Sequence, residues 1–264
     1  MQGQVQYQIQ WPRPGRALLG IIIANVVAYI LQLVLLRANV QWVSMLYLSP
    51  RDVFVDGYVW QVVTYWWLHS PMHPSHLLFN MLMLWLFGTR MESRWGQKRF
   101  LLGYFLLGLG GSVLVLLVGL VSLTEAFRPL LGSYWVSEHL GASGAATGLI
   151  VAWGLTFAEQ EFNFLLLGRM KGKTLVIIIV AIEMLVALSF SNTSSASHFG
   201  GMIAAFVMVR GLWRPSRWKD WMHRQRLKAK RRNIEHQLRV LEGGNGGEQK
   251  KASKPDPDDP KNWN

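Results

Sequence analysis

Two polar residues stand where apolar chain is expected. Ser143, in Gly141-Ala142-Ser143-Gly144, opens the uncharged run 140–158, and His198 lies in the uncharged stretch Ser197-His198-Phe199-Gly200-Gly201. Polar groups inside membrane-type segments are costly and mark function. A serine hydroxyl is a poor nucleophile at neutral pH, so acyl transfer needs a base within hydrogen-bond reach, and an imidazole titrating near about 6.5 suits that task. The pair therefore reads as nucleophile Ser143 and base His198. Charge developing on the attacked carbonyl oxygen needs donors. The backbone N–H of Ser143, at the positive end of its helix, is one.

His76 and Asn80 supply others. They lie four residues apart in Leu68-His69-Ser70-Pro71-Met72-His73-Pro74-Ser75-His76-Leu77-Leu78-Phe79-Asn80, a spacing that puts both on one helical face. Either residue alone is commonly a satisfied structural group; together with Ser143 and His198 at one level they point to one site. The acids at that level, Asp52, Asp56, Glu125 and Glu138, fall in loops, so the chemistry reads as a Ser/His dyad.

Such a site needs a scaffold with membrane character. The chain has 264 residues, 51% hydrophobic and 16% charged, with no cysteine, which excludes disulfides, thiolate metal sites and cysteine nucleophiles. No metal or cofactor is expected. Six apolar segments, 17–36, 73–89, 100–123, 140–158, 174–190 and 191–209, approach the roughly 20 residues that span a bilayer. The fold class is accordingly all-α, a polytopic bundle of six transmembrane helices. Arg90, Arg94, Lys98 and Arg99 follow the second segment, Arg169, Lys171 and Lys173 the fourth, and a basic tail the sixth. The positive-inside rule then puts both termini in the cytoplasm and brings Ser143 and His198 to the outer ends of their helices. The same distribution explains the net charge of +12 without nucleic acid.

Small residues recur beside the reacting pair. Gly144 with Gly148, Gly200 with Ala204 and Gly201 with Ala205 are spaced for close helix packing.

These residues, in this order, resemble the rhomboid family of intramembrane serine proteases over about 17–212. The matching pieces are Trp60-Gln61, His76-x-x-x-Asn80, Glu92-x-x-x-Gly96, Gly141-Ala142-Ser143-Gly144 and His198-x-x-Gly201. The resemblance implies a six-helix bundle opening outward, Ser143 and His198 as catalytic pair, and His76, Asn80 and Gly141 around the oxyanion or substrate. It implies transmembrane protein substrates that enter sideways and are cut next to small residues. Thr147 departs from the pattern where an aromatic ring often packs on the catalytic histidine, and Ala205 where a second glycine is common. The competing readings are a non-catalytic rhomboid-like binding or chaperone protein and a small transporter centred on Glu183.

The remaining segments divide the chain. Residues 1–16 form a short cytoplasmic segment and 17–212 the membrane domain. Residues 213–242, rich in Lys, Arg and Trp, read as an amphipathic juxtamembrane helix on anionic lipid, and 243–264 as a disordered tail. The loop 37–68, rich in Trp and Tyr, suits the bilayer interface and a lateral shield of the site. Glu183, mid-span in the fifth segment, is expected to be protonated or paired inside the bundle. The first segment lacks a signal-peptide cleavage site and reads as a retained anchor, and the N-terminal composition favours a bacterial inner membrane over an organelle.

Overall fold

The computed structural model describes residues 13–164, 168–188 and 195–211, with isolated positions 227, 230, 234 and 235 beyond them. The chain divides after Gly211 into two units, and the helices named here all belong to the first. Apart from those four positions, the segments 213–242 and 243–264 lie outside the described residues.

Among the described residues, six helices run fourteen residues or longer: α1 (Arg16–Arg37), α2 (Pro74–Trp95), α3 (Gln97–Val121), α4 (Ser143–Thr156), α5 (Gly172–Leu188) and α6 (Ser195–Arg210). They fall on the six apolar segments. By length and composition, α1 and α3 are apolar and long enough to cross a membrane. α2 is interrupted by His76, Asn80, Arg90, Glu92 and Arg94, and α4, with fourteen residues, rises only about 21 Å.

Side-chain placement shows the surroundings these helices require. Ile23, Ile30 and Val34 on α1, Leu102 and Val113 on α3, and Leu185 on α5 are each more than half exposed. An apolar surface of that extent fits lipid rather than water. The interior is small and tightly packed. α4 runs through the centre, with Gly144 to Gly154 all buried, against Leu84, Phe87 and Met91 of α2 and Phe100, Tyr104 and Leu107 of α3.

Glycines set the closest approaches. A Cβ built on Gly200 would overlap the carbonyl oxygen of Gly110, and one on Gly201 that of Gly144, so α6 lies against α3 and α4 backbone to backbone. Ala205 is fully buried in the same seam. Gly96, at φ 79°, ends α2 and begins α3, a left-handed position that glycine adopts at no steric cost.

Polar anchors fix the ends. Glu92, buried on α2, accepts hydrogen bonds from the backbone N–H of Ala17 (2.9 Å) and Leu18 (3.1 Å), capping α1, whose own N-cap residue Gly15 has no side chain to do so. Gln32 on α1 accepts from the N–H of His69 (3.0 Å) and donates to Tyr47 Oη (3.2 Å). These bonds hold the loop between α1 and α2 onto the bundle. That loop also exposes Trp42, Phe54, Val55, Val59 and Trp60, the composition of a bilayer interface.

Between α4 and α5 the chain forms an antiparallel hairpin, β1 (Glu161–Phe164) with β2 (Gly168–Lys171), pairing Phe162 with Met170 and Asn163 with Arg169. Phe162 and Met170 pack against the core while Arg169 pairs with Glu161 (3.3 Å) and Lys173 with Glu159 (2.8 Å). The hairpin is absent from the all-helical reading of the sequence, because four-residue strands are too short to establish a period.

Candidate active site

Ser143 is the first residue of α4, at the helix start where the sequence puts it, although the uncharged run 140–158 begins three residues earlier. Leu140, Gly141 and Ala142 approach it as non-helical backbone, tolerated within a bundle where protein satisfies the polar groups. The N–H of Gly141 donates to the carbonyl of Tyr65 (2.9 Å), and Leu48 and His139 exchange two backbone bonds of 2.9 and 2.8 Å. The short helix thus starts beneath the loops that carry Leu48, Tyr65 and His139, with its first-turn N–H groups at the serine.

His198 reaches Ser143 from the first turn of α6. Its Nε2 lies 2.8 Å from Ser143 Oγ, a hydrogen bond between residues 55 apart in sequence. Neighbouring contacts set the rotation of α6: Ser197 is buried, bonds Tyr65 Oη (3.0 Å) and fills the space over Gly144 and Gly111. Residue 197 therefore points into the α3/α4 groove, and residue 198 turns toward α5.

On α5 it meets an acid. Glu183 Oε2 lies 2.9 Å from His198 Nδ1, with the two side chains 16% and 18% exposed. This corrects the sequence reading that no carboxylate stands beside His198. The expectation that Glu183 is paired inside the bundle agrees with the contact.

The other candidates border the same point. Gly141, at φ 119°, brings a Cβ-less backbone under the His76 ring: a Cβ there would lie 2.8 Å from His76 Nε2 and 3.7 Å from Ser143 Oγ. His76 Nδ1 accepts a long hydrogen bond from the Ser70 N–H (3.4 Å), which leaves Nε2 as the protonated nitrogen, aimed across Gly141. Asn80 Nδ2 donates one hydrogen to the His76 carbonyl (2.9 Å) and retains the other. Gly141 itself offers space rather than a donor, since its N–H is committed to Tyr65. Thr147 lies buried one turn below Ser143.

Two histidines outside the spans are buried without serving the site directly. Burial, then the charge of His76, lowers the His69 pKa to about 3, against a smaller raising effect of the Trp67 backbone. Burial likewise lowers His139 to about 4.

Comparison with known proteins places the chain in a family. A family model described as the rhomboid domain matches residues 56–215, which include all five candidate positions. The chain is 29% identical over 167 residues to a protein named rhomboid protease GluP from Bacillus subtilis (strain 168), covering 63% of this chain and 29% of that protein. It is 28% identical over 206 residues to rhomboid-like protease 3 of Toxoplasma gondii, covering 76% and 70%. A third relative, named putative rhomboid protease YdcA, also from Bacillus subtilis (strain 168), is 31% identical over 153 residues, covering 58% of this chain and 67% of its own length. The chain thus spans under a third of the first of these relatives.

Proposed function

Because the chain belongs to the rhomboid family, whose members are integral membrane proteins, we propose that it is an intramembrane serine endopeptidase acting on transmembrane proteins near their outer ends. The observation that carries this reading is the 2.8 Å contact between Ser143 Oγ and His198 Nε2 at the head of a buried helix.

The reaction follows from the donors and acceptors available. His198 Nε2 takes the hydroxyl proton as Ser143 Oγ attacks the scissile carbonyl carbon. Negative charge on the carbonyl oxygen meets the Ser143 N–H, the second amide hydrogen of Asn80 and the Nε2–H of His76. His198 then gives its proton to the leaving amine, and an acyl ester remains on Ser143. Water, deprotonated by the same imidazole, hydrolyses the ester and restores the hydroxyl. All six helices cross the bilayer in this proposal, both termini are cytoplasmic, and the site faces outward. The lipid contacts, including anionic lipid at the basic segment 213–242, and the absence of a nucleic-acid partner belong to the same reading. Pairing of Glu183 with His198 supports it over a transporter centred on that acid.

The test is labelling of the purified protein by a fluorophosphonate together with cleavage of a single-span reporter in proteoliposomes. The parent should label and cleave, whereas Ser143→Ala and His198→Ala should do neither. A parent that shows no Ser143-dependent labelling and no cleavage is a non-catalytic binding protein, and the proposal fails.

A further inference from the structure

We propose that Glu183 is a positioning residue for this reaction, holding His198 in the tautomer and orientation that accept the Ser143 proton, so that the dyad works as a Glu–His–Ser chain. The inference rests on the reading of Ser143 and His198 as the reacting pair. Its geometry is a continuous relay of two short contacts, 2.9 Å from Glu183 Oε2 to His198 Nδ1 and 2.8 Å from His198 Nε2 to Ser143 Oγ.

An ionised carboxylate can only accept hydrogen bonds. Facing Nδ1, it requires the ring proton to sit there and leaves the Nε2 lone pair for the serine O–H. A neutral imidazole with no such partner distributes its proton between both nitrogens, and the Nε2-protonated form cannot act as base. When Nε2 takes the serine proton, the imidazolium formed lies against the Glu183 carboxylate, and that attraction is stronger among low-dielectric surroundings than in water. Glu183 keeps its charge and Nδ1 keeps its proton throughout.

Two further features of the chain fit this role. Thr147, one turn after Ser143, carries no ring that could pack on the imidazole, and the Glu183 acceptor at Nδ1 with Ser143 at Nε2 holds both ring nitrogens. The placement of the acid on α5 is also selective: Ile182, Met184 and Leu185 beside it are about half exposed or more, whereas Glu183 turns toward α6. An acid in a span is costly, about 2.5 to 3.5 kcal/mol on insertion scales, so its presence calls for a partner, and His198 is the one it meets.

A structural link between α5 and α6 is the competing role, and the experiment must separate the two. In proteoliposomes, kcat and KM are measured for the parent, Glu183→Gln and Glu183→Leu, with fluorophosphonate labelling rates and thermal unfolding alongside. Both variants should lower kcat by about 10²- to 10⁴-fold, leave KM within about threefold, slow Ser143 labelling in parallel and melt with the parent. In ¹⁵N-histidine-labelled protein, the signal lost in His198→Ala should report one Nδ1-protonated tautomer where the ring is neutral. Glu183→Gln should turn it into a mixture. A parent-like kcat in Glu183→Gln, or an unchanged His198 tautomer, overturns the proposal while leaving the Ser–His reading intact. Absence of Ser143-dependent labelling in the parent removes both. If Glu183→Gln unfolds, the lipid-compatible Glu183→Leu and the tautomer measured in the parent decide the matter.

Discussion

Gly201→Ala isolates what the α4/α6 seam contributes to catalysis. A Cβ on Gly201 would stand 2.9 Å from the carbonyl carbon of Gly144, closer still to its oxygen, and 3.4 Å from the Gly148 nitrogen. Carbon contacts relax at about 3.5 to 4.0 Å, so the two helices must part by roughly 1 Å. Because Ser143 and His198 stand one residue before Gly144 and three before Gly201, that shift passes almost undiminished to the 2.8 Å contact between them. At about 3.8 Å it is no longer a hydrogen bond. A displacement of this size costs about 10²-fold in rate, and overpacking a tight seam costs about 1 to 3 kcal/mol. The assay is kcat on a single-span reporter in proteoliposomes, paired with thermal unfolding in detergent. Gly148→Ala, whose Cβ would lie 2.6 Å from the Gly201 carbonyl oxygen, should behave alike. Gly20→Ala is the control: nothing lies within 4 Å of its Cβ position, so activity should hold and stability rise by up to about 1 kcal/mol. Parent-like turnover and melting in Gly201→Ala would refute the argument that backbone contact sets the catalytic distance.

Removing the cap on α1 should affect stability and spare chemistry. Glu92→Ala leaves the N–H groups of Ala17 and Leu18 without their acceptors. The expected loss is about 2 kcal/mol, seen as a lower melting temperature with kcat per folded molecule unchanged; equal melting temperatures would contradict it. His69 should make the fold acid-sensitive. Its folded pKa of about 3 lies below the ordinary histidine value of 6.5, so the unfolded chain takes up the proton first. Stability is then full above pH 6.5 and falls as the pH drops toward 3, by up to about 1.4 kcal/mol per pH unit. His69→Phe should flatten the dependence of melting temperature on pH across that window, and an unaltered slope would show that the acid sensitivity arises elsewhere.

Much of this arrangement is legible in the sequence because it depends on local pattern. The six apolar segments mark the six long helices, although the ends differ: α4 starts at Ser143 rather than at 140, since the pinned N–H of Gly141 keeps the approach non-helical. His76-x-x-x-Asn80 sits on one turn of α2 as its spacing requires. Glu183 reads from the sequence as an anomalous acid within a span, expected to be protonated or paired, with no partner assigned to it. Only the folded structure shows that the two helices bring Glu183 Oε2 within 2.9 Å of His198 Nδ1.

The sequence alone determined the membrane character and the helical segments, because hydropathy and the length of apolar runs are local properties, and it carried the expectation that Ser143 and His198 share a level. Tertiary structure decided which way each helix is turned. Helices that are apolar on all faces carry no stripe to reveal their rotation. Only the backbone contact at Gly144 and Gly201, with Ser197 seated against Tyr65, aims His198 at Ser143 on one side and at Glu183 on the other.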